Sequence, residues 1–248
     1  MEYTLSNVFL TFLLYSIMGY IIEVIVCSLE YKKIVNRGFL FGPWCPIYGL
    51  GAILILFTLL RYESDPIVVF VFGVIITSCV EYYTSYLLEK IFHNKWWDYS
   101  HRPDSINGRI CVGNMIAFGV GACAIIYITQ PILNNIINIF SSFTINIIAI
   151  IFSIIFITDV VYSTIIAYAL RNRIIIAEEL KKEKLLMIPA LLEKKFKGKI
   201  EKLRIKSIRY FKAFPNLKSK YGEELDQIKK WLENATTKRK KDKKKKTS

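Results

Sequence analysis

Four acidic side chains stand where lipid is expected. Glu23, Glu81 and Asp159 fall inside long apolar runs, and Glu89 falls at the edge of one. An ionisable group within a membrane helix costs about 2.5–3.5 kcal/mol on insertion scales, so such groups turn toward the interior of a bundle and serve as functional positions. Arg37 and Arg109 lie at the loop ends of neighbouring runs. A guanidinium offers paired donors that suit a carboxylate or a phosphate. Trp44, Tyr48, Trp97, Asp98, Asn107 and Asn114 lie in the same loops or next to them. Two chemistries fit this set. The acids can line a transport pathway, or Glu23, Glu81 or Glu89 can act as acid or base while the arginines hold an anionic head group.

Helical spacing places these acids on small or polar stripes. Ser16, Gly19, Glu23, Cys27 and Glu30 step by three or four, as do Thr77, Glu81, Ser85 and Glu89. Asp159, Tyr162 and Ser163 share a face, and Asn107, Cys111, Asn114 and Gly121 recur at helical spacing. At about 1.5 Å per residue, Glu23, Glu81 and Asp159 lie roughly 10, 13 and 18 Å from the cytoplasmic ends of their helices. The expectation is a pocket in the cytoplasmic half where Glu23, Arg37, Glu81, Glu89 and Arg109 converge, walled by Trp44, Tyr48 or Trp97.

Two loops on that side are unusual. Residues 36–49, Asn-Arg-Gly-Phe-Leu-Phe-Gly-Pro-Trp-Cys-Pro-Ile-Tyr-Gly, place three glycines and two prolines at the start of an apolar run. Prolines remove backbone donors and glycines loosen a helix, so a broken or re-entrant entry is expected there. Residues 96–100, Trp-Trp-Asp-Tyr-Ser, lead to 107–111, Asn-Gly-Arg-Ile-Cys. The aromatic residues also suit an interfacial belt, and the arginines also suit topology determinants.

The elements that must carry these groups follow from composition. Hydrophobic residues make up 53% of the 248, yet the net charge is +14, with a mean hydropathy of +0.35. Residues 1–170 hold 8 basic and 10 acidic side chains, while 171–248 hold 26 and 10. A soluble globule, a fibre and a disordered chain are excluded. Five apolar stretches, 8–29, 39–60, 66–88, 110–132 and 145–170, are long enough to cross a hydrocarbon core. Backbone polar groups have no partner in lipid, so the fold class is an all-α polytopic bundle. Residues 1–170 form the membrane domain, and 171–248 form a basic, partly helical cytoplasmic tail.

Lys and Arg in alternate connections total 33 on one side and 1 on the other, which places the N-terminus outside and the C-terminus in the cytoplasm of a cell membrane. The first stretch lacks the basic flank and cleavage site of a signal peptide. The five cysteines show no paired or zinc-like spacing, and only His93 and His101 offer imidazoles. Neither a metal nor another cofactor is expected. In the tail, 194–212 carries nine basic side chains and one acid on an amphipathic pattern that ends at Pro215. Anionic lipid is the favoured partner, ahead of nucleic acid.

The stretches 15–23, 36–49, 81–89, 96–100 and 107–111 resemble the putative ABC-transporter type IV family, the CmpB-like bacterial membrane proteins. The resemblance covers about residues 8–165 and leaves the tail outside. It implies a transport permease. The chain contains no GxxxxGK[ST] phosphate loop, so any ATPase would be a separate polypeptide. Five spans are few for a pathway, which points to a homo-oligomer. A membrane-embedded enzyme at the cytoplasmic leaflet and a non-catalytic scaffold remain the alternatives. The substrate and the energy source stay open.

Overall fold

The computed structural model describes the backbone of residues 4–30, 32, 38–92 and 95–182, with side chains as far as residue 168 apart from Glu30. Arg37, His93 and the basic tail beyond Lys182 lie outside the described residues. The chain divides into two units, Met1–Ser163 and Thr164–Ser248. The first contains every contact of the candidate site.

The architecture is mostly helical. Helix α1 spans Leu5–Glu30, α2 Pro46–Leu59, α3 Pro66–Phe92, α4 Val112–Ala124, α5 Gln130–Ile137 and α6 Ser142–Lys182. Four helical stretches are long and apolar enough to cross a membrane: Leu5–Leu29, Pro66–Phe92, Val112–Ile137 and Ser142–Tyr168. The stretch expected over 39–60 behaves differently. Its helix covers 14 residues and is followed by a 3-10 turn, Leu60–Tyr62. At 1.5 Å per residue α2 is about 21 Å long, short of the roughly 30 Å hydrocarbon core. Residues 38–45 are not helical, so the broken entry expected from the glycines and prolines is present.

Local chemistry sets several boundaries. Asp65 Oδ1 accepts the backbone N–H groups of Ile67 and Val68 at 3.1 and 3.2 Å. Pro66 then occupies the first helical position, where no donor is needed. Ser141 plays the capping role for α6, with its hydroxyl accepting from the Thr144 amide at 3.3 Å. Between α4 and α5 a π-helical turn, Ile125–Thr129, precedes Pro131. The proline has no N–H to continue the ladder, and the Thr129 hydroxyl reaches the Ala124 and Ile125 carbonyls at 3.3 and 3.4 Å.

Residues 105–111 correct the helical spacing read through Asn107, Cys111 and Asn114. They form a two-stranded hairpin, β1 (Ser105–Ile106) against β2 (Ile110–Cys111), with Ile106 opposite Ile110. Asn107 and Gly108 have φ of +54° and +68°. A helix cannot start through such residues, so α4 begins at Val112.

Three apolar clusters join the helices. Ile55 and Leu59 of α2 meet Val69 of α3, Ala122 of α4 and Ile126. Tyr15 of α1 packs with Ala52 and Leu56 of α2 and Leu133 of α5. Leu13 of α1 packs with Leu40 and Trp44 of the entry loop, flanked by Phe156 and Val160 of α6. Helices α1 and α2 approach closely at Gly49, where a Cβ would stand 2.4 Å from the Phe12 carbonyl oxygen. Outward faces such as Ile21, Ile22, Ile25 and Val26 of α1 are exposed and apolar, as lipid contact requires.

Candidate functional site

The entry loop is held by one carboxylate. Asp159 on α6 accepts the Phe41 amide at 2.9 Å and the Ser163 hydroxyl at 3.0 Å on Oδ1. Its Oδ2 accepts the Gly42 amide at 2.7 Å and the Trp44 indole N–H at 2.8 Å. Non-helical backbone at membrane depth needs such partners for its stranded donors. The Trp44 ring is buried and meets Phe156 edge-on at 5.9 Å. Gly42 lies so close to that indole that a Cβ would stand 2.2 Å from it. Tyr162 faces Phe41 at 5.1 Å and is half-exposed. Asp159 is therefore an anchor of the loop, and its known contacts are with Phe41, Gly42, Trp44 and Ser163 rather than with the other acids.

The second group centres on α1 and α2. The Tyr48 hydroxyl donates to Glu23 Oε1 at 2.7 Å, and the Cys27 thiol lies 3.6 Å from Glu23 Oε2. The Tyr48 ring fills the space beside Gly19, where a Cβ would stand 2.2 Å from it. The small residue in the α1 stripe thus exists to admit the tyrosine that reaches Glu23.

Glu81 on α3 is buried. Its Oε1 accepts the Tyr99 hydroxyl at 3.4 Å, and that hydroxyl accepts the Asn114 side-chain N–H at 2.8 Å. Its carboxylate lies within electrostatic reach of Glu23, and Tyr48 feels both acids. Glu23, Tyr48, Glu81, Tyr99 and Asn114 are thus brought together from α1, α2, α3, the 95–111 loop and α4.

Arg109 belongs to a third group. Its guanidinium pairs with Glu89 at 2.6 Å and donates to Ser85 at 3.4 Å. It also lies over the rings of Tyr82 and Tyr86 at 5.7 and 5.5 Å. The Arg109 carbonyl accepts the Trp97 indole N–H at 3.0 Å, and Asn107 donates to the Tyr82 hydroxyl at 2.9 Å. Asp98 builds the loop beneath. It accepts from the Ser100 hydroxyl and amide and pairs with Lys95 at 3.6 Å. Desolvation pushes the Asp98 carboxyl up, but the Ser100 bonds and Lys95 outweigh it and hold the group below the usual carboxylate range. Trp96 is buried and sits edge-on to Phe39 and Phe92 at 5.0 and 5.9 Å. This ring joins the entry loop to the end of α3, so it is not a lipid-facing belt residue.

The family model described as Putative ABC-transporter type IV matches residues 10–164. The chain belongs to the putative ABC-transporter type IV family. The match takes in every described residue of the three groups and stops before the basic tail. No curated protein and no solved structure matches the chain. Among the described residues of this family member, no group of three His, Cys, Asp or Glu could hold a metal.

One polar cluster is not among the residues picked from the sequence. The Tyr15 hydroxyl donates to Gln130 Oε1 at 3.0 Å and lies 3.0 Å from the Thr129 hydroxyl. Gln130 in turn donates to Asn134 at 2.8 Å. The usable signal was Gln130 beside Pro131 inside an apolar run, with Tyr15 eight residues before Glu23 on the same helix face.

Proposed function

We propose that the chain is the permease-like membrane component of a transporter, with five crossings, its N-terminus outside and its C-terminus in the cytoplasm. Glu23, Tyr48, Glu81, Tyr99 and Asn114 form its pocket, open to the cytoplasmic face. The observation that carries this reading is a pair of contacts on one face of α1. Tyr15 bonds Gln130, and eight residues further on Glu23 bonds Tyr48. The two levels are about 12 Å apart along the axis. An enzyme working at one leaflet needs only the inner level, whereas a pathway needs polar groups at both. The apolar cluster of Ala52, Leu56 and Leu133 beside Tyr15 would part to open the outer half. The enzyme reading asks Arg37 and Arg109 to hold an anionic head group, and the Arg109 guanidinium is already engaged by Glu89, Ser85 and two tyrosines.

The missing phosphate loop assigns energy coupling to a separate ATPase subunit. The small number of helices assigns the complete pathway to more than one copy. The tail contributes contact with anionic lipid.

Thiol accessibility tests this reading. Cysteine placed at Tyr15 should react with a membrane-impermeant reagent from outside, and cysteine placed at Ser78 should react from the cytoplasm, both read peptide by peptide by mass spectrometry. If position 15 stays inert from outside with position 78 reactive, the pathway is excluded and the one-sided enzyme takes its place.

A further inference from the structure

Helix α4 is locked onto α3. Phe70 and Val74 close on Gly119, and Ala122 closes on Gly73, so that neither glycine has room for a Cβ. Glu81 meets Asn114 at one end of this contact, and the Pro66 carbonyl lies 4.0 Å from the Cys123 thiol at the other. The two helices therefore run antiparallel. Helix α2 also runs against α3, because only residues 60–65 join them. A straight continuation of α4 would climb alongside α2. The contacts do the reverse. Ile126 packs with Ile55 and Leu59 of α2. Leu133, seven residues further on, packs with Ala52 and Leu56, about one turn back toward the start of α2. The chain changes direction at the π-helical turn, and α5 lies across α1 and α2 at the level of Tyr15, two turns outward of Glu23.

The turn itself is pinned. Ile126 is buried, and the Tyr127 hydroxyl donates to the Glu63 carbonyl at 2.9 Å. The backbone there is widened, with the Gln130 amide reaching back five residues to the Ile125 carbonyl. Pro131 brings no N–H, and its ring crowds the carbonyl four residues earlier. Such π-turns and prolines are where helices bend. Beyond them stands a helix of only eight residues. Tyr15 holds it to α1 through Gln130 and Thr129, and Leu133 enters the apolar cluster of Ala52 and Leu56. Ile132 and Ile136 are exposed. Residues 138–141, outside any helix, form a second joint before α6. We propose that α5 is a lid over the outer end of the pocket, hinged at Ile125–Thr129 and latched shut by Tyr15. Opening lifts Gln130 and Leu133 off α1 and α2 while α4 stays on α3. This rests on the transport reading and supplies its outer gate.

The test measures distances in the full chain by pulsed electron resonance. Spin labels are attached through a genetically encoded keto amino acid, which leaves the five native cysteines in place. One pair, at Ile21 and Ile136, spans the lid, and a second, at Ile75 and Val120, spans the locked contact. All four side chains are exposed. The native chain should give one dominant distance for each pair. Tyr15→Phe keeps the ring in its apolar cluster, so it should fold, and it removes the latch. It should add a longer distance between positions 21 and 136. The open-to-closed ratio should rise about three- to tenfold, the weight of one or two intramembrane hydrogen bonds. Adding Pro131→Ala restores an N–H for the Tyr127 carbonyl and stiffens the turn, so the longer distance should recede. The 75–120 distance should stay constant throughout. The proposal is overturned if Tyr15→Phe adds no longer distance, or if Pro131→Ala leaves that distance untouched. An equal lengthening between positions 75 and 120 also overturns it, since the whole bundle would then have loosened. These distances report the motion whatever the pocket carries, so reactivity at position 15 decides the pathway and the distances decide the hinge.

Discussion

Replacing Asp159 with Asn should loosen the entry loop far more than its conservative size suggests. The carboxylate accepts four donors, two on each oxygen. A carboxamide keeps one oxygen and turns the other into an N–H donor. With its nitrogen at the Oδ1 position the Gly42 and Trp44 bonds survive, the Ser163 hydroxyl turns to accept, and only the Phe41 amide is left as a donor against a donor; the opposite placement would oppose both Gly42 and Trp44. Intramembrane hydrogen bonds average about 0.6 kcal/mol and reach about 1.7, and bonds to a charged group lie at the upper end or beyond. Losing the Phe41 bond, opposing its donor and weakening the remaining bonds from charged to neutral sums to about 1–3 kcal/mol. Trp44→Phe removes only the indole donor and should cost about 1 kcal/mol through this bond. Because the Trp44 bond to a neutral carboxamide is weaker than its bond to the carboxylate, the double variant should be less destabilised than the sum of the singles. Equilibrium unfolding in mixed micelles of rising SDS content measures all three. If Asp159→Asn proves as stable as the native chain, or if the two effects add, the anchor argument is wrong.

Gly49→Ala should separate α1 from α2 and destabilise by about 1–3 kcal/mol, since its Cβ would stand 2.3 Å from the Ser16 hydroxyl. Gly51→Ala on the same helix meets nothing within 4 Å and should be neutral or slightly stabilising in the same assay. Gly108→Ala combines a φ of +68° with a Cβ 2.5 Å from Asp98 Oδ1. It should disrupt the 95–111 loop, seen as changed tryptophan fluorescence and lost hydrogen-exchange protection. The depressed Asp98 carboxyl gives a pH dependence of known sign. Its contribution is complete above the unfolded value near 4 and disappears as pH falls through the lower folded value. Protection of the Ser100 amide should therefore persist at about pH 5 and decline below about pH 4, a step that Asp98→Asn abolishes. For the five-span topology, cysteine at Ser64 or Ser141 should label from outside and cysteine at Ser100 should not.

What could be read in advance depended on contrast with the surroundings. An acid in an apolar run stands out, so Glu23, Glu81, Glu89 and Asp159 were all visible, as was the broken entry over 38–45 from its glycines and prolines. Partnerships were not visible, because they join segments far apart in the chain. Nothing local shows that Asp159 faces Phe41 and Gly42, or that Tyr99 meets Glu81. Arg109 and Glu89 were expected in one pocket with Glu81, and their contacts are with each other and with Ser85. The hairpin at 105–111 did leave a signal, since Asn-Gly is a strong turn dipeptide. Helical spacing across it gave the wrong element. Tyr15 and Gln130 were not singled out, since neither is charged, and the π-helical turn beside Pro131 brings them into one network.

The grip of Asp159 on the entry loop also bears on how the chain is made. Phe41 and Gly42 leave the ribosome well over a hundred residues ahead of the side chain that satisfies them. During that interval their amides have no acceptor from α6, and lipid supplies none. The loop must wait at the aqueous surface or in the insertion machinery, and it can settle only when α6 arrives. Biogenesis therefore closes from the back, and a ribosome stalled before codon 159 should leave a chain whose first helix is inserted but whose entry loop is still open to proteases.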